Sequence, residues 1–168
     1  LYPVVVMGEE MSQQEQLKCW EEGSAGLWSI DPIDGTSNFY NGLPYFAISV
    51  ALMQNGRSLL GVIYNPVTKE LFYAEKGKGA FLNGVPLPIR KPTASLQSAV
   101  ANVDLKRLSR NLAAKIAANP PYASQRNYGA CALELCYTAA GYFDLYLHGG
   151  QKPWDYAAGS LILEEAGG

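Results

Sequence analysis

Asp31 and Asp34 flank a proline and precede a glycine in the stretch Trp28-Ser29-Ile30-Asp31-Pro32-Ile33-Asp34-Gly35-Thr36-Ser37-Asn38-Phe39. Leu27 to Ile30 reads as a short buried strand, and Pro32, which lacks a backbone donor, is expected to end its ladder and turn the chain at Asp31. Gly35 permits a tight bend, so both carboxylates can face one point beyond the strand end. A single Asp here would be an ordinary turn residue. Two like charges about 4 Å apart repel by roughly 4 kcal/mol at an effective dielectric near 20, so the pair points to a hard cation between them. Thr36 and Ser37 then open a short helix whose free N–H groups would face an anion held by that cation. The expected chemistry is a metal and a phosphate meeting at one turn.

Two further acidic sites lie at the ends of regular elements. Val4 to Met7 is β-branched and strand-like, and Gly8-Glu9-Glu10 ends it. Asp155 is expected to N-cap the helix that runs on through Ala157, Ala158 and Gly159, small residues that permit close approach to a neighbour. A carboxylate at a helix start can also bind a cation there. Glu9, Asp31, Asp34 and Asp155 are together enough to hold two Mg²⁺ ions that keep some waters and bind substrate phosphate. His148, the single histidine, sits just upstream of Asp155. Glu134, on a small-residue helix from Ala130 to Ala140, is either solvated or able to reach a substrate. Lys76-Gly77-Lys78-Gly79 lacks the spacing of a phosphate-binding loop and is followed by Asn83-Gly84, so hairpin turns are expected there.

The elements that must position these residues are legible in outline. Phe46 to Met53 and Leu59 to Tyr64 flank Asn55-Gly56, a strong hairpin signal, and Leu71 to Ala74 returns as a third antiparallel strand. Met11 to Gly26 is polar and reads as a surface connection, partly helical. Gln97 to Val103 and Tyr142 to Leu147 read as strands. Lys106 to Ala118 reads as an amphipathic helix stopped by Asn119-Pro120-Pro121.

With 168 residues, 48% of them hydrophobic, the chain can bury one sizeable core, and residues 1–168 are expected to form one domain or most of one. A net charge of -2, from 13 basic and 15 acidic residues, gives no electrostatic footprint for nucleic acid or an anionic membrane, so neither is expected as a partner. Cys19, Cys131 and Cys136 fit reduced thiols better than a disulfide framework. With no apolar run of transmembrane length and no signal segment, the expected setting is the cytoplasm. Leu1 is not an initiator, Tyr2-Pro3 leads straight into a strand, and Gly167-Gly168 stands where a helix is capped and a further strand begins. The domain is therefore expected to lack N-terminal helices and a C-terminal strand and helix.

Gly8-Glu9-Glu10, Asp31-Pro32-Ile33-Asp34-Gly35-Thr36, and Trp154-Asp155-Tyr156-Ala157-Ala158-Gly159 with Glu165-Ala166-Gly167-Gly168 resemble, in this order, the motifs of the inositol monophosphatase family of Mg²⁺-dependent, lithium-sensitive phosphatases. The resemblance covers nearly the whole chain. It implies an α/β fold, an α+β layered sandwich of alternating helix and sheet layers, with two or three Mg²⁺ ions and assembly as a homodimer. It implies metal ligation by Glu9, Asp31, Asp34, Asp155 and the backbone carbonyl of Ile33. Asp31, Asp34 and Thr36 would be catalytic, Thr36 orienting the attacking water that the metals hold. The N–H groups of Gly35 and Thr36 would hold the phosphate.

Gly129, Ala130, Cys131, His148 and Asp155 would line the substrate pocket, with two departures from the family pattern. Ala130-Cys131 stands where many inositol phosphatases have Ser or Thr after the matching glycine. His148, with Lys152 nearby, replaces a Glu that binds substrate hydroxyls. Family members carry a helical segment before the first Glu motif, with an acidic partner for the attacking water, and the sequence from Leu1 is expected to start after it. The expected activity is hydrolysis of a small polyol or sugar phosphate, inositol monophosphate first. Fructose 1,6-bisphosphate and nucleotide 3′-phosphates are alternatives. A regulatory binding protein acting through a protein or RNA partner is the rival from another class. A Ca²⁺-binding structural module is disfavoured because the acids do not share one contiguous loop.

Overall fold

The structure is a computed structural model that describes residues 4–93 and 95–168; the expected lead-in at Leu1, Tyr2 and Pro3 lies outside the described residues. Strand β1 (Val5–Gly8) pairs in parallel with β2 (Leu27–Asp34), and helix α1 (Gln13–Glu22) forms the crossover between them. Met11 to Gly26 is thus more helical than its composition indicates. Ser12 starts α1 with a capping box, its Oγ 3.4 Å from the Glu15 N–H while the Glu15 carboxylate accepts the Ser12 N–H at 2.9 Å. The helix buries no side chain fully, so it carries little of the apolar periodicity that marks a core helix.

Pro32 does not end β2. The ladder with β3 (Ala47–Gln54) sets Asp31 opposite Ser49 and resumes with Asp34 opposite Ala47, three steps on one strand against two on the other. This one-residue bulge accommodates the missing Pro32 donor. It also has a chemical consequence. Residues three apart on a regular strand face opposite sides, whereas across the bulge Asp31 and Asp34 are both buried. Helix α2 (Thr36–Tyr40) begins immediately after Gly35, whose φ of 86° makes the turn.

The chain then meanders through β4 (Arg57–Asn65), β5 (Glu70–Glu75), β6 (Ala80–Leu82) and β7 (Val85–Pro86), completing a seven-stranded sheet in sequence order. Asn55-Gly56 and Asn83-Gly84 both adopt positive φ at the two turn residues, the geometry that matches strand twist in a two-residue hairpin. Small parallel β8 (Val100–Val103), β9 (Ser124–Arg126) and β10 (Leu145–Leu147) form a second sheet in the order β10-β8-β9. Two expected strands are shorter than read, because Leu96–Ser98 is a 3₁₀ turn and Tyr142 to Asp144 lie outside β10. The amphipathic helix, α3 (Arg110–Ala118), starts later than expected, since Ser109 caps it and Leu105–Arg107 is a separate 3₁₀ turn.

Helices α4 (Cys131–Ala139) and α5 (Pro153–Glu165) pack together against the inner face of the large sheet, and α4 also meets β10 of the small one. Apolar residues of the large sheet, α4 and α5 form one core, while Ala99, Ala101, Val103 and Tyr122 form a second with Ile116 of α3. Layers of sheet, helix, sheet and helix result. The approach of α5 depends on Gly61: a Cβ there would lie 2.8 Å from the Ala158 carbonyl oxygen. Among the described residues no helix is long and apolar enough to cross a membrane.

Candidate active site

The carboxyl ends of two parallel strand pairs meet at one cavity of about 530 Å³. From the large sheet, Glu9 follows β1, while Asp31, Asp34, Gly35, Thr36 and Ser37 come from the end of β2 and the start of α2. From the small sheet, Arg107 follows β8, and His148, Gly150 and Lys152 follow β10. Gly129 and Cys131 at the start of α4, and Trp154 and Asp155 at the start of α5, complete the wall. Open α/β sheets bind ligands at the carboxyl ends of their parallel strands, where loops diverge and backbone groups are unpaired.

Asp31 is 2% and Asp34 5% exposed, yet their surroundings differ. Asp34 accepts the Cys131 N–H at 3.2 Å and the Ala132 N–H at 2.8 Å, so it caps the N-terminus of α4 from a distant part of the chain. Asp31 accepts one N–H, from Ile33 at 2.9 Å. Burial, followed by the Glu9 carboxylate, pushes Asp31 up to about 7. Burial likewise raises Asp34 well above the carboxylate range, with the Ala132 N–H opposing, and it raises Glu9 and Asp155. Among the described residues, no lysine, arginine or histidine forms an ion pair with any of the four.

Glu9 and Asp31 are close enough for their carboxyl groups to interact directly, while Asp34 and Asp155 act on Asp31 or on each other through charge alone. No group of three or more His, Cys, Asp or Glu among the described residues is drawn together tightly enough to hold an ion as it stands. The donor set suits a hard cation: all four are carboxylates, two are buried, and Asp31 has one backbone donor and an acidic neighbour in Glu9. The Ile33 carbonyl accepts the Thr36 hydroxyl at 3.0 Å, which ties Thr36 to this turn. Asn38 fixes the turn from behind, donating to the carbonyls of Tyr45 at 2.8 Å and Tyr128 at 2.7 Å.

Asp155 lies one turn deeper than expected. Pro153 occupies the first helical position of α5, and the Asp155 carboxylate reaches back to accept the Lys152 N–H at 2.8 Å. Glu134 is neither solvated nor in the cavity. It is 1% exposed and accepts the N–H groups of Tyr128 at 2.7 Å and Gly129 at 3.0 Å, so it holds the loop before α4. Ala130 also departs from its expected place: its side chain is fully buried in the core, against the turn at Gly35, and only Gly129 and Cys131 of that trio reach the cavity wall.

Cys131 Sγ lies 3.7 Å from His148 Nε2. Burial, with the Asp34 carboxylate adding, pushes its thiol up to about 12, so it is an S–H group at neutral pH and no nucleophile. His148 Nε2 is also 3.7 Å from an Asp104 oxygen. Burial outweighs that carboxylate and lowers the imidazole below its usual range, so the ring is neutral at neutral pH.

Arg107 was missed in the sequence because it reads as part of an amphipathic helix. Asp104 accepts the N–H groups of Lys106 and Arg107 at 3.0 and 3.3 Å and donates its own to Leu147 at 3.1 Å, which turns Arg107 toward the end of β10. Gly149 allows this approach, since a Cβ there would collide with the Arg107 carbonyl oxygen. An acidic cap directly after a strand and followed by a basic pair was the available signal.

A Rhizobium meliloti protein named inositol-1-monophosphatase is 42% identical to this chain over 149 residues, covering 86% of the chain and 56% of that protein. A Pasteurella multocida protein named Nus factor SuhB is 40% identical over 145 residues, covering 84% and 54%. The crystal structure of inositol monophosphatase-II from Staphylococcus aureus superposes with a TM-score of 0.84 at 29% identity, over 98% of this chain and 60% of that one. The Thermotoga maritima IMPase gives 0.81 at 36% identity, over 99% and 61%. The chain spans little more than half the length of these curated relatives. The model of the inositol monophosphatase family matches residues 2–168, and with these likenesses in sequence and fold the chain belongs to that family.

Proposed function

We propose that this chain forms the metal- and phosphate-binding part of a Mg²⁺-dependent phosphomonoesterase acting on a small polyol or sugar phosphate, with inositol monophosphate the first choice. One observation carries the reading. Carboxylates from three separate motifs line a single cavity with the Gly35-Thr36 turn, and among the described residues the buried Asp31 has no cationic side chain in an ion pair with it.

Glu9, Asp31, Asp34, Asp155 and the Ile33 carbonyl would hold two or three Mg²⁺ ions. Bound there, Mg²⁺ supplies positive charge to the phosphoryl oxygens and acidifies water. Asp31 and Asp34 orient that chemistry from a rigid strand end. The first-turn N–H groups of α2, which have no intrahelical acceptor, receive phosphate oxygens. Thr36, tied to the Ile33 carbonyl, orients the attacking water. The water oxygen forms a bond to phosphorus as the ester P–O bond breaks, the alcohol leaves with a proton, and inorganic phosphate remains. By family resemblance the working unit is a homodimer. The free thiols of Cys19, Cys131 and Cys136 support a cytoplasmic setting.

The test is phosphate release by the full gene product carrying these residues, from inositol 1-phosphate, fructose 1,6-bisphosphate and a nucleotide 3′-phosphate, with and without Mg²⁺. Metal-dependent release that Asp31→Asn abolishes supports the reading. A folded, Mg²⁺-binding protein with no release from any ester refutes it. A second reading, in which the fold acts through a partner, is favoured by the relatives named Nus factor. Asp31→Asn would leave such a role intact.

A further inference from the structure

All the basic residues of the cavity come from the small-sheet side. Of its acidic residues, Glu9, Asp31 and Asp34 stand at strand ends of the large sheet, while its basic residues Arg107 and Lys152 stand on loops after β8 and β10 of the small one, with Asp155 at the start of α5 between the two groups. Both basic side chains are exposed, and among the described residues neither forms an ion pair. His148 lies between these loops with a side chain only 7% exposed, and its buried Nδ1 has no hydrogen-bond partner among the described residues. The Arg107 charge acts on the His148 ring, and Arg107 and Lys152 both act on Asp155, so two cations with no ion-pair partner among the described residues and a neutral imidazole share one side of the cavity.

With the phosphate seated at the Gly35-Thr36 turn, the alcohol of the ester must extend toward the small-sheet loops. A cavity of about 530 Å³ leaves room there for more than a bare hydroxyl. We infer that Arg107, Lys152 and His148 bind a second anionic group on the leaving alcohol, so that the preferred substrates are phosphate monoesters carrying a further phosphate or carboxylate. Arg107 supplies a planar fork suited to either anion, Lys152 a mobile point charge, and His148 a neutral ring hydrogen bond. The inference rests on the phosphatase reading. Its competitor is that Arg107 and Lys152 merely offset Asp155, whose carboxylate feels both charges.

Matched ester pairs decide between them. The Mg²⁺-loaded protein is assayed at neutral pH on 2-phosphoglycerate against glycerol 2-phosphate, and on inositol 1,4-bisphosphate against inositol 1-phosphate. The anionic member of at least one pair is expected to win by about tenfold in kcat/KM, chiefly through KM, and the winning pair distinguishes carboxylate from phosphate. Arg107→Gln and Lys152→Gln are each expected to lower that anionic-to-neutral ratio by about fivefold or more, with Arg107→Lys restoring part of it. Equal rates within both pairs, or variants that depress both members alike, overturn the inference while leaving the phosphatase reading standing. If no ester is hydrolysed, the phosphatase reading fails. Calorimetric titration of 2-phosphoglycerate against glycerol 2-phosphate then decides the subsite, and equal affinities overturn it.

Discussion

Asp31 and Glu134 are both almost fully buried carboxylates, and the chain treats them in opposite ways. Glu134 receives two backbone N–H groups and ties the loop at Tyr128 and Gly129 to α4. Asp31 receives one and faces Glu9 across the cavity wall. A buried carboxylate that the backbone satisfies is a structural tie; one left short, among others of the same charge, needs a cation from outside. Asp34 stands between the two, lining the cavity while capping α4. Residue type and burial do not separate these roles. What separates them is whether the carboxylate lines the cavity among other acids, as Asp31 and Asp34 do and Glu134 does not.

Mutations at the two kinds of carboxylate sharpen this contrast. Asp31→Asn should lower Mg²⁺-dependent phosphate release by about a thousandfold or more while the far-ultraviolet dichroism is unchanged. If release survives, Asp31 is a tie like Glu134. Glu134→Ala should leave two buried N–H groups without an acceptor and cost about 3 kcal/mol in urea unfolding. Glu134→Gln keeps an acceptor oxygen and should cost about 1 kcal/mol or less; equal losses in the two variants would show that the donors do not matter.

Asp144 accepts the N–H groups of Thr93 at 2.6 Å and Val100 at 2.8 Å, nearer to solvent. Burial alone would raise its carboxyl, but these donors outweigh it and lower the group below its usual value. A lowered folded value means that the charged form stabilises the fold above the unfolded value near 3.8, and that this is lost as pH falls through the lower folded value. Asp144→Asn should therefore cost about 1 kcal/mol at neutral pH, and its gap to wild type should close in acid. A gap that widens in acid would reverse the assignment.

The smallest effect is expected at Glu165, whose exposed carboxylate accepts the N–H groups of Gly77 at 2.7 Å and Gly79 at 2.8 Å. These donors lower its carboxyl, so the same sign holds and the contribution disappears as pH falls through the folded value. Glu165→Gln should lower the thermal midpoint slightly at neutral pH and leave phosphate release within about twofold of wild type. A large loss of activity would place this turn in the reaction.

The Lys76-Gly79 turn illustrates how far the residues alone could be read. Its spacing excluded a phosphate loop, yet its glycine N–H groups do hold an anion, and that anion is the carboxylate of Glu165 from the far end of α5. The Asn-Gly hairpins were legible because both turn residues must adopt positive φ, a constraint carried by the residues themselves. Helix α1 was only partly legible, since a helix that buries no side chain fully carries a weak one-sided apolar pattern. The extension of β2 through Pro32 was hidden because only the pairing with β3 reveals a bulge.

Residue order alone carried the three acidic motifs, the glycine turn at Gly35, the antiparallel meander and the small-residue face of α5, because each follows from local donor count, backbone freedom or alternation. Packing decided the rest. It turned Asp31 and Asp34 to the same side, drew Glu134 and Ala130 away from the cavity, and brought Arg107 beside His148 from 41 positions earlier in the chain. Those outcomes depend on which strands pair and which loops share a sheet edge, and such contacts between distant segments have no local signature in the chain.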